Sequence, residues 1–265
     1  MTQSAWQRRI ERARLLIEQY RSAREILAFY IEVARFQERL GGHLSGVGAN
    51  ASPNGLQREL GGSELSVLLG DFESFLAVVE EHGPQPLAAL SQELRGQGPE
   101  SWAELLKAEW TSASPSDAAG FLATALLQPY AVLLRSQKIA DFDPQRYALC
   151  PFCKRKPGFG VMRQMGDGGA RSLICGFCSG EWDFRRLVCP GCGEEDDKKL
   201  AVFSAADFGH IRVECCESCR TYIKTVDLTK DGHAEPIVDE LASVALDLWA
   251  QERGYAKLRK NLLGM

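Results

Sequence analysis

The first 149 residues of this chain contain no cysteine, yet nine cysteines crowd between Cys150 and Cys219. Other absences narrow the field before that cluster is read. No stretch approaches the roughly 18 to 20 consecutive apolar residues of a membrane-spanning helix, so no span is expected. The amino terminus, MTQSAWQRRIERARLLIEQYR, interleaves arginine with glutamate and lacks an apolar block with a small-residue cleavage site. It is not read as a signal peptide, which places the protein in a reducing cytoplasm. Structural disulfides are rare there, so the cysteines need another explanation.

A large excess of positive charge is also missing. The net charge is -4, and Cys150 to Val226 holds 12 Lys or Arg against 10 Asp or Glu. That balance argues against a nucleic-acid polycation. The four histidines, His43, His82, His210 and His233, are dispersed, with no nucleophile motif beside them, and are read as surface or loop residues. The glycines of Gly166-Asp167-Gly168-Gly169 precede no Lys-Ser or Lys-Thr, so they form no phosphate loop. With 45% hydrophobic and 25% charged residues, the composition is that of an ordinary globular protein.

What is present falls into two textures. Apolar residues recur at helical spacing through Ile10, Ala13, Leu16 and Ile17, then Ile26, Leu27, Tyr30, Ile31, Ala34 and Phe36. This predicts a helix or broken helix over about 5 to 40, closed by Gly41-Gly42 and followed by a mobile loop to Gly62. Ser63 is a candidate N-cap for the next helix. Shorter helices are expected near 86–95 and 100–110, and a longer one near 116–138 bent at Pro129. From Cys150 the pattern becomes short strands and glycine turns: a hairpin on either side of Gly166–Gly169, then a strand over Thr221 to Asp227. A final helix begins at Pro236, with Ile237, Leu241, Ala245, Leu248 and Trp249 along one side, free to pack back on the amino-terminal helices. The fold class is therefore α+β: an α-helical domain over 1–140, small β modules over 147–188 and 189–230, and a terminal helix over 235–260.

The cysteines form four C-x-x-C pairs: Cys150 with Cys153, Cys175 with Cys178, Cys189 with Cys192, and Cys216 with Cys219. A two-residue spacer turns both sulfurs to one side, and two such knuckles make a tetrahedral four-sulfur metal site. The gap between the first and second pairs is 21 residues, that between the third and fourth is 23, and only ten separate Cys178 from Cys189. Sequential pairing is the simplest arrangement, with interleaving left open. Cys215 falls outside the register and is read as a bystander. Thiolates of this kind accept zinc or iron. Cys189-Pro190-Gly191-Cys192-Gly193 fits the C-P-x-C-G knuckle of rubredoxins, whereas the first knuckle continues into Lys154. Four thiolates leave no vacant coordination position, so hydrolytic catalysis is not expected and the chain is read as a non-enzyme.

The knuckles in this order, together with Glu181-Trp182, Arg186, Cys219 to Lys224, Asp239 to Ser243 and Phe121 to Gln128, resemble the formate dehydrogenase accessory proteins (FdhE). The likeness covers about residues 118 to 256 well and the amino-terminal helices loosely. It implies a cytoplasmic maturation factor that binds the catalytic subunit of a formate dehydrogenase and is required for its activity. It also implies two rubredoxin-like sites, with iron favoured and zinc the alternative. Against the family pattern, an amino-terminal segment is expected to be missing, and the loop to Gly62 is unfamiliar. Trp182, Arg186 and Tyr222, beside the knuckles, are candidate partner contacts, though the two rings could equally pack on their own hairpins. The competing readings are a zinc-ribbon nucleic-acid-binding protein and an iron electron-transfer protein.

Overall fold

A computed structural model of the chain describes residues 4–45, 56, 59–112, 117–137, 148–166 and 168–261. Helix α1 spans Ala5–Gln19 and starts at Ser4, whose hydroxyl accepts from the Gln7 amide at 3.1 Å. The chain turns through a short 3₁₀ segment, Arg21–Ala23, into α2, Arg24–Ser45. The long amino-terminal periodicity is thus a broken helix. Its stop was misread, because α2 runs through Gly41 and Gly42. Leu40 and Leu44, both 1% exposed, flank the glycines on the buried face, and their burial outweighs the weak helix propensity of glycine. Most of the expected mobile loop lies outside the described residues.

Helix α3, Gly62–His82, follows Gly61, so Ser63 lies inside the helix and is not its cap. Helices α4, Gln85–Gln97, and α5, Pro99–Thr111, meet at Gly98, whose φ of 83° only glycine adopts freely. Helix α6, Ala118–Ser136, opens on Asp117, whose carboxylate accepts from the Gly120 amide, and carries Pro129 within its length. By length and composition α6 could cross a membrane, but 72% of that window is buried inside the protein, as in a core helix.

The strands are β1 (Phe159–Met165), β2 (Gly168–Ile174), β3 (Glu181–Asp183), β4 (Leu200–Phe203), β5 (Ile211–Cys216), β6 (Thr221–Asp227) and β7 (Ala256–Lys257). They form one sheet of order β3-β2-β1-β6-β5-β4, with β7 beside β6. Two antiparallel units, β1–β3 and β4–β6, are joined by a parallel pairing of Gly160–Met162 with Thr225–Asp227. At that junction a Cβ on Gly160 would lie 2.4 Å from the Thr225 hydroxyl, so the close approach requires glycine.

The carboxyl-terminal helix is two helices, α7 (Pro236–Ala242) and α8 (Val244–Glu252), broken at Ser243. The Lys224 ammonium donates to the carbonyl and hydroxyl oxygens of Ser243, at 3.3 and 3.0 Å, which fixes the break. Leu248, expected on the apolar side, is 56% exposed. Two apolar clusters fill the interior. One gathers α2 to α6 around the first two knuckles, and the other places α1, α2 and α7 on the sheet. Helix α2 serves both, with Phe29, Val33 and Phe36 in the first and Leu27, Tyr30 and Ala34 in the second.

Candidate metal centre

All four knuckles share one backbone form. In each, the amide following the second cysteine donates to the carbonyl of the first: Lys154 to Cys150, Ser179 to Cys175, Gly193 to Cys189 and Arg220 to Cys216, at 2.8 to 3.0 Å. That donating residue is left-handed every time, with φ of 59°, 53°, 81° and 54°. Three of the four are not glycine, so those knuckles hold a conformation that L residues adopt only at a cost. The turn directs the two sulfurs of each pair to one side.

The structure gathers Cys150, Cys153, Cys175 and Cys178 in one group, and Cys189, Cys192, Cys216 and Cys219 in another. Within each group the sulfurs lie within 4.8 Å of one another. Cys150 and Cys178 Sγ are 3.6 Å apart, and Cys153 and Cys175 are 3.3 Å apart. In the second group, Cys189–Cys219 and Cys192–Cys216 are each separated by 3.7 Å. A disulfide needs about 2.05 Å, and all nine cysteines are free. A tetrahedron with metal–sulfur bonds of about 2.3 Å has edges of about 3.8 Å, so both groups fit one thiolate-bound ion each. The gathering follows the sequential pairing.

The surroundings differ sharply. Cys150, Cys175 and Cys178 are fully buried, while in the second group Cys192 is exposed. The helical half covers the first group: Gln128 donates to the Gly176 carbonyl at 2.8 Å, and Arg135 to that of Cys178 at 3.0 Å. Arg155, 2% exposed, donates to the Glu109 carbonyl at 2.5 Å and stacks 3.5 Å from the centre of Phe177. This arginine is a buried strut. Burial pushes the Cys189 thiol up to about 12. Burial also raises Cys219, but donation from Thr221 outweighs it and brings the thiol to about 7.

Cys215 lies on β5, 2% exposed, and burial followed by the Glu217 charge raises it to about 12. A protonated, enclosed thiol is inert, in keeping with a bystander. The candidate partner contacts divide. Trp182 and Tyr222 are 4% and 1% exposed, and the Tyr222 hydroxyl donates to Asp247 at 2.8 Å. Both rings are packed in the interior and offer no surface to a partner, which corrects that expectation; Arg186 is exposed. His210 lies in the turn before β5, as a loop residue, but is half-buried, with Nε2 2.8 Å from Asp239. With Asp231 and Asp239 it forms a third group of possible ligands. Arg12 donates to both of those carboxylates, at 2.6 to 3.0 Å, so this group is an ion-paired clasp between α1 and α7.

Sequence reasoning missed the buried charges behind the second site. Lys224 donates to Asp247 at 2.6 Å and lies 3.1 Å from Glu240, which also receives Lys257 at 2.5 Å. All four side chains are at most 4% exposed. The signal in the sequence was the seven-residue spacing of Glu240 and Asp247, which an unbroken helix would place on one face.

Comparison with known proteins agrees with this geometry. The models "FdhE, central domain" and "FdhE, C-terminal domain" match residues 149–186 and 188–263. An FdhE homolog of Aquifex aeolicus is 28% identical, across 96% of this chain and 94% of that protein. One from Pseudomonas aeruginosa is 35% identical, over 62% of this chain and 55% of that protein. The crystal structure of the FdhE protein from Pseudomonas aeruginosa superposes with a TM-score of 0.65 and 27% identity, covering 99% of this chain and 97% of that one. Domain models that split where the two cysteine groups split, and a similar structure along nearly the whole chain, lead to one conclusion: the chain belongs to the FdhE family.

Proposed function

We propose that this protein is a formate dehydrogenase accessory protein, a non-catalytic maturation factor that binds the catalytic subunit in the cytoplasm and is required for its activity. The observation that carries the reading is the pair of four-sulfur groups, each of a size to enclose one ion, in a member of the FdhE family. On this reading Cys150, Cys153, Cys175 and Cys178 hold one metal and Cys189, Cys192, Cys216 and Cys219 a second. Iron is the family expectation, and zinc has the same donor chemistry. The ions supply cross-links between hairpins that have little core of their own. The chain's residues orient the sulfurs: the left-handed turns aim them, and Gln128, Arg135 and Arg155 clamp the first module to the helices.

Affinity capture of the tagged full chain from its native host tests the proposal. The formate dehydrogenase catalytic subunit is expected in the captured fraction, and deletion of the gene is expected to abolish dehydrogenase activity. Capture of ribosomal or nucleic-acid material alone, with dehydrogenase activity intact in the deletion strain, overturns it.

A further inference from the structure

A cleft of about 100 Å³ opens on the sheet where the two cysteine modules meet. Arg171, Arg186 and Arg212 line it, with Glu214 beside them. Arg171 is 3% exposed. Its Nη1 donates to the carbonyls of Arg185 and Val188, both at 3.2 Å, and its Nη2 lies 2.5 Å from Glu214. Its Nε is buried and has no hydrogen-bond partner among the described residues. A buried guanidinium donor left unsatisfied is unfavourable, and such a group calls for an acceptor. Arg212 pairs with Asp227 at 2.5 Å, whereas exposed Arg186 makes, among the described residues, only a 3.5 Å contact to the Gly169 carbonyl. Three guanidinium groups therefore stand against two carboxylates. The mouth has the opposite character: Leu187 and Val202 also line the cleft, 63% and 58% exposed.

We propose that this cleft binds a small oxyanion, a carboxylate or phosphate group, carried on a compact apolar body. The arginines receive the anion with charge-assisted hydrogen bonds, and Leu187 and Val202 cover the apolar part. The bland reading is that the arginines only offset the negative charge of the nearby thiolates. The two readings diverge in solution, and neither outcome depends on the dehydrogenase partner.

Titration calorimetry of the metal-loaded full chain with isovalerate, inorganic phosphate and the neutral isovaleramide separates them. Saturable one-to-one binding of isovalerate or phosphate, with the amide silent, is expected; the tighter of the two anions identifies the head group. Arg186→Gln and Arg212→Gln are expected to weaken that binding at least tenfold while keeping both metals. The proposal is overturned if neither anion binds saturably, if the amide binds as well as the acid, or if both variants retain full affinity. The comparison of acid with amide needs no variant and survives a misfolded one.

Discussion

Arg135, in the last turn of α6, donates its Nε to the carbonyl oxygen of Cys178 at 3.0 Å. One hydrogen bond thus ties the helical half to a turn of the first cysteine group. Replacing the guanidinium leaves that carbonyl without its donor, and hydrogen bonds from charged donors are worth about 1.5 to 3 kcal/mol. Arg135→Met is expected to lower unfolding free energy by about 2 kcal/mol and to speed metal release from the first group alone. Urea denaturation with a metal-release assay checks both.

The difference in cover between the groups gives a kinetic prediction. Cys192 is exposed, whereas three of the four cysteines of the first group are fully buried. A chelator reaches the second group without unfolding the helical half, so release is expected in two phases. Cys192→Ser should remove the fast phase only; a single phase in the native protein contradicts the asymmetry.

Much of the metal region was legible because C-x-x-C spacing is covalent and local, as is the turn it imposes. Thr221–Asp227 was legible for a similar reason, being a short β-rich run between turn signals. The helix through Gly41 and Gly42 was not, since the burial of Leu40 and Leu44 depends on helices distant in sequence. Nor was the parallel seam between β1 and β6, where residues more than 60 positions apart pair without a sequence-local signature. Trp182 and Tyr222 misled as surface aromatics because sheet register, not their closeness to cysteine, decides which way they face.

The knuckle turns predict a stabilising change. Ser179 has φ of 53°, and its hydroxyl is buried without a hydrogen-bond partner among the described residues. Ser179→Gly relieves both penalties, the left-handed one alone being about 1 to 2 kcal/mol. The variant is expected to be more stable by about 1 kcal/mol in chemical denaturation at unchanged metal content; a loss of stability contradicts this account of the turn.

The seam between the modules predicts the reverse. A side chain at Gly160 meets the Thr225 hydroxyl at 2.4 Å, and overpacking of this kind costs about 1 to 3 kcal/mol. Gly160→Ala is expected to destabilise in chemical denaturation, and Thr225→Ala in the same chain to recover part of the loss by removing the hydroxyl that the new methyl group meets.

Buried Glu240 sets an acid limit. Burial alone would raise its carboxyl, but Lys224 and Lys257 outweigh it and hold it down to about 2. A carboxyl lowered on folding contributes stability above its unfolded value, near 4.5, and loses it as pH falls towards 2. Denaturation of the metal-loaded protein from pH 7 to pH 3 should show that loss. Glu240→Gln, less stable at neutral pH, should show a shallower slope, and parallel slopes in the two proteins contradict the assignment.

The central claim is two ions in eight thiolates. Elemental analysis joined to X-ray absorption at the metal edge, on protein isolated without oxygen from its native host, tests it most directly. Two ions per chain are expected, each with four sulfur neighbours at about 2.3 Å. Fewer than two ions, oxygen or nitrogen in the coordination shell, or cysteines joined as disulfides would contradict it.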